Sequence, residues 1–139
     1  MGFTLSVKGK ENIYLDESMI QSVHVELCTP SDSMAKSTIV SATLFITGRL
    51  TSDATMIESD EPLKLFKWAQ IPAQSADAYS DVTVKVISAG QTFRTINFPN
   101  TFVIDYGERY NDHAGIGEFS LVLRQKVDKI DKITADGGQ

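Results

Sequence analysis

The chain has 139 residues, 42% hydrophobic and 22% charged, with 18 Asp and Glu against 13 Lys and Arg for a net charge of -5. That length suits one domain with a real core, and the acidic balance disfavours sequence-level gripping of a phosphate backbone, although an acidic channel wall would let a polyanion slide past. A single cysteine, Cys28, excludes an internal disulfide and leaves no zinc-ligand spacing, as suits a reducing compartment.

Residues 3–7 alternate, with Phe3, Leu5 and Val7 on one side, and predict a strand. The N-terminus lacks a basic region followed by an apolar run, so no secretory signal is expected, and no stretch approaches a membrane span. Residues 9–16 read as a polar turn region holding Ile13, Tyr14 and Leu15. Residues 20–28 set Val23, Val25 and Leu27 against Ser22, His24 and Glu26, the pattern of a strand with one wet or interface-facing side. Thr29, Pro30, Ser31, Asp32, Ser33, Met34, Ala35 and Lys36 then form a loop. Pro30 cannot donate to a ladder, and the Ser and Asp side chains satisfy local backbone groups. Residues 38–50 predict a long strand. Val40, Ala42, Leu44 and Ile46 lie on one face and Ile39 and Phe45 on the other, so the strand is central or meets a partner chain.

Residues 52–60 are polar and lead to the one predicted helix, residues 61–70. Asp60 and Glu61 favour the positive helix end, Pro62 is tolerated in the first turn, and Pro72 stops the run. Leu63, Phe66, Lys67 and Gln70 line one side; Leu65, Trp68 and Ala69 line another. So short a helix must pack on the sheet. Leu63, Phe66 and Trp68 are assigned to that packing, with Lys64 and Lys67 toward solvent or a partner.

After a loop at 74–81, residues 82–87 alternate Val82, Val84 and Val86 with Thr83, Lys85 and Ile87. Ser88-Ala89-Gly90-Gln91 reads as a tight turn, and residues 93–98 return as the partner strand. Pro99-Asn100 interrupts before a strand at 101–106, with Phe102, Ile104 and Tyr106 on one face. A loop holding Gly107, Asn111, Asp112, Gly115 and Gly117 follows. Residues 117–127 then place Phe119, Leu121 and Leu123 opposite Glu118, Ser120 and Arg124. Residues 1–127 make one domain, and 128–139 a polar tail with a disordered end. Seven or eight strands with one short helix point to a mainly β fold, an antiparallel β-barrel or a closed two-sheet sandwich.

Nothing in the residues assembles chemistry. His24 shares a strand face with Glu26, which reads as a solvated row, and His113 sits in a polar loop. Cys28 lacks a basic cluster and reads as a small strand-end hydrophobe. Asp105, Glu108 and Asp112 keep their segment solvated. Gly115-Ile116-Gly117 opens no helix and is no phosphate loop. The reading is a protein that is not an enzyme, with no catalytic, cofactor or metal site.

The run Phe98-Pro99-Asn100-Thr101-Phe102-Val103-Ile104-Asp105-Tyr106, an acidic Gly-containing loop, and then Gly117-Glu118-Phe119-Ser120-Leu121-Val122-Leu123-Arg124-Gln125-Lys126 resemble the C-terminal half of tube proteins from contractile injection machines. These are the type VI secretion tube protein Hcp, phage tail-tube proteins and related baseplate adaptors. Upstream, Pro62-Leu63 to Trp68 and Val82 to Val86 are similar to that family's short helix and next strand, so the resemblance covers residues 59–126. It implies a β-barrel protomer that forms hexameric rings stacking into a hollow tube. Its partners are further copies of itself, a sheath, a baseplate and a spike, with effector or DNA cargo passing through the lumen and no membrane or cofactor. It also implies that residues 29–36 project toward the neighbouring ring as a stacking loop. Assembly is then in the cytoplasm, or within a virion or an extracellular phage tail-like particle. A ring-forming baseplate or tube adaptor is the near alternative. An unrelated monomeric β-sandwich that binds a ligand through its loops is the other.

Overall fold

A computed structural model describes residues 1–28, 41–50, 61–72, 74–112, 116–126 and 133–137. The alternating segments become β1 (Gly2–Lys8), β2 (Ile13–Leu15), β3 (Ile20–Cys28) and β4 (Ser41–Leu50). The helix α1 (Glu61–Ala69) and a 3₁₀ turn (Ala76–Ala78) separate these from β5 (Ser80–Ser88), β6 (Gln91–Asn111), β7 (Ile116–Gln125) and β8 (Thr134–Asp136). All pairings are antiparallel, in the order β2-β1-β5-β6-β7-β4-β3, with β8 added to β6.

The fold is mainly β as expected, and among the described residues its strands form an open, rolled antiparallel sheet that is not closed by hydrogen bonds. The sheet rolls until β3 lies beside β1, which pairs with β5 on one flank and, over residues 5–7, with β2 on the other. The roll encloses one core in which Leu5, Val84, Leu44, Ile46, Leu121 and Leu123 are buried. The inward row expected on β7 (Phe119, Leu121, Leu123) is therefore in place, and Gln125 continues it as a buried polar residue.

Five local expectations change, the first being the loop expected from Gly107: β6 continues to Asn111, and residues 107–111 pair with residues 116–120 of β7. The turn region holding Ile13 to Leu15 contains β2, because Ile13 and Leu15 find core space beside β1 while Tyr14 faces out. Pro99-Asn100 bends a strand rather than ending it: β6 pairs with β5 up to Thr101 and with β7 from Thr101 onward. Asn100 takes the left-handed backbone the corner needs, at φ +55°. The corner is held by Gln125 Nε2 donating to the Pro99 carbonyl at 3.0 Å and Lys126 N to the Asn100 carbonyl at 2.9 Å. The bend leaves the flank of Thr95–Asn97 open, and β8 pairs there, so part of the expected polar tail is a strand. Finally, the register shifts between Val103 and Asp105, which turns Ile104 outward and brings Val103 and Tyr106 against the core.

Helix α1 docks by the stripe Pro62, Leu65 and Trp68, all buried. Trp68 is 6% exposed, whereas Leu63 and Phe66, assigned to the same packing, are 46% and 43% exposed. The helix is apolar on two sides, and its tethers choose between them. Glu61 Oε2 accepts the backbone N–H of Tyr14 at 3.0 Å, and Trp68 Nε1 donates to the Ala78 carbonyl at 2.9 Å. Lys64 also lies lower than expected, with Nζ donating to the Asn12 carbonyl and to Glu61, each at 3.2 Å.

Candidate assembly surface

Strand β3 ends the sheet. It runs nine residues and, among the described residues, pairs with β4 alone. Val23 and Val25 rest against the core, and Leu27 at its far end is 65% exposed. The strand contains no Pro, Lys or Gly, the residues that commonly blunt an exposed edge. On its other face His24 Nε2 lies 3.6 Å from Glu26 Oε1, and the His24 ring sits 5.6 Å from that of Phe45. Both side chains of the ion pair are more than half exposed, as a solvated row should be. No group of three or more His, Cys, Asp or Glu converges among the described residues. Cys28 is exposed at the strand end. His113 and the loop Thr29, Pro30, Ser31, Asp32, Ser33, Met34, Ala35 and Lys36 lie outside the described residues.

A second surface joins α1 to the far half of β6. The Phe66 ring meets Tyr106 edge-on at 6.0 Å, and Tyr106 stacks over the buried Phe119 at 6.3 Å, linking the exposed helix face to the core through aromatic contacts. Tyr106 and Tyr110 grip one carboxylate: their hydroxyls donate to Glu108 Oε2 at 3.0 Å and Oε1 at 2.8 Å. That hydrogen bond, then desolvation and the carboxylate's charge, hold the Tyr110 phenol above its ordinary value. Sequence reasoning took Glu108 only for a solvating charge. The period-two spacing of Tyr106, Glu108 and Tyr110 was the available signal that the three share a face. No helix among the described residues is long and apolar enough to cross a membrane.

The sequence matches no family model and no curated protein. Its fold is nonetheless defined: among the described residues, an open antiparallel sheet of eight strands with one α-helix, an Hcp-like fold. The chain is similar to Hcp1 from Flavobacterium johnsoniae at a TM-score of 0.62 and 18% identity, over 99% of this chain and 97% of that one. The likeness to Hcp1 of E. coli EAEC 042 has a TM-score of 0.62 at 10% identity, covering 99% of each chain. A chain of the sheath–tube complex of the extracellular contractile injection system PVC, in its extended state, is similar at a TM-score of 0.58 and 15% identity, over 98% of this chain and 88% of that one. The likeness of fold thus runs through the N-terminal strands as well as residues 59–126.

Proposed function

We propose that this protein is an inner-tube subunit of a contractile injection apparatus, forming rings that stack into a hollow conduit. The observation that carries the reading is the full-length likeness of fold to Hcp1 and to a chain of a sheath–tube complex. The β3 edge, with Leu27 exposed at its end, and the exposed Leu63 and Phe66 support self-association. The role is structural, without catalysis or cofactor. Its partners are further copies of the chain in six-fold rings, and sheath, baseplate and spike proteins, in a particle rather than a membrane. Effector or DNA cargo would pass through the lumen. Residues 29–36 stack one ring on the next.

Negative-stain imaging, with light scattering at rising concentration, tests this. Rings or tubes are expected. A species that stays monomeric at near-millimolar concentration, in low and in high salt, overturns the reading. Replacing residues 29–36 by a tight turn is expected to leave single rings and abolish tubes; long tubes from that variant would reduce the loop to a connector.

A further inference from the structure

The helix and the turn between β1 and β2 enclose a surface pocket of about 200 Å³. Val7, Ile13, Trp68 and Ile71 make it apolar. Lys64 and Lys67 line it from the helix, Lys10 and Glu11 from the turn, with Asp77 and Ser80 completing the wall. The tryptophan is fixed in place by its hydrogen bond to the Ala78 carbonyl, so this apolar surface is formed before anything binds.

The charges along the wall are used unequally. Lys10 Nζ lies 3.8 Å from Asp77, and Lys64 is held by Glu61 and the Asn12 carbonyl. Lys67 is exposed, and its ammonium has no hydrogen bond or ion pair among the described residues. Among the described residues, the Glu11 carboxylate on the turn is likewise without an ion pair.

Size narrows the occupant. An apolar cavity of about 150 Å³ accepts benzene, whereas sites for drug-sized molecules span roughly 300–1,000 Å³. A pocket of about 200 Å³ therefore takes one aromatic or branched side chain, as the anchor pockets of protein interfaces do. Charge narrows it further. A carboxylate next to the anchor meets the ammonium of Lys67, and a second carboxylate meets Glu11. We propose that this pocket receives a partner polypeptide presenting one apolar anchor side chain beside a single acidic residue. The proposal stands on the pocket alone, whether or not the chain forms a tube.

Trp68 is the sole tryptophan, so its fluorescence and its indole N–H resonance report occupancy of the pocket. The full chain is titrated with capped dipeptides, acetyl-Leu-Glu-amide, acetyl-Leu-Lys-amide and acetyl-Ser-Glu-amide, and with free 4-methylpentanoate. A saturable shift is expected for Leu-Glu. Leu-Lys should bind about fivefold more weakly, the scale of one exposed ion pair, and Ser-Glu should bind more weakly for want of an anchor. Lys67→Glu should reverse the preference between Leu-Glu and Leu-Lys, and Glu11→Gln should tighten Leu-Glu. Both side chains are exposed, so neither change removes core packing. The absence of a saturable shift, equal binding of Leu-Glu and Leu-Lys, or an unchanged preference in Lys67→Glu overturns the proposal. Tighter binding of the free acid than of the dipeptide also overturns it, because the site would then serve small molecules.

Discussion

Ala89 and Gly90 turn the β5–β6 hairpin with positive φ at both positions, +54° and +77°. Two successive left-handed residues match the twist of the strands they join, and Asn-Gly is a preferred pair for such a turn. Alanine is the wrong member: its Cβ crowds the next carbonyl and costs about 1–2 kcal/mol there. Ala89→Asn is therefore expected to raise stability by up to about 1 kcal/mol, read as a higher denaturant midpoint at constant slope; a lower midpoint would refute this account of the turn. Tyr110 makes a pH prediction. Its phenol must stay protonated to donate to Glu108, and its folded pKa is raised above the ordinary 10.0. The stabilisation is thus present below that ordinary value and is lost as pH rises through the folded one. An alkaline absorbance titration should show a late-ionising tyrosine component, and Tyr110→Phe should diminish it.

Helix α1 shows at the scale of an element how periodicity underdetermines packing. Positions 62, 65 and 68 form one apolar stripe, and Leu63 and Phe66 lie on a second. Leu65 is fully buried, so Leu65→Ala should cost about 2–5 kcal/mol. Phe66 loses an exposed surface and one edge-on contact, worth about 0.5–1.5 kcal/mol. Paired thermal melts check the order. If Phe66→Ala melts far below Leu65→Ala, the helix docks by its other side.

The open sheet has consequences for the whole molecule. Unpaired edge groups and an exposed leucine on β3 invite another chain, with Glu26 and the register shift between Ile20 and Ser22 as counterweights. Leu27→Lys places a charge at that edge without touching the core. The variant should melt like the parent yet sediment as a monomer at concentrations where the parent associates. Association unchanged in Leu27→Lys would move the contact elsewhere, with Leu63 and Phe66 on the helix as the next surface to change.

Period-two alternation by itself located β1, β3, β4, β5 and β7 and the inward row of β7, because such a run must bury one face whatever its neighbours, but it divided β6 into two strands and a loop. Turn chemistry likewise located the hairpin at Ala89-Gly90. Tertiary structure alone decided the rest. Strands β2 and β8 span three residues each, too few to carry a period, and exist because edges of β1 and β6 were there to receive them. The register shift at Ile104 is invisible to alternation, which counts residues and not partners. The choice between two apolar helix stripes was settled by the tethers of Glu61 and Trp68 to distant backbone. Closure is likewise a tertiary matter: β3 lies beside β1 without a ladder pair to it among the described residues, while β2 pairs residues 5–7 of β1.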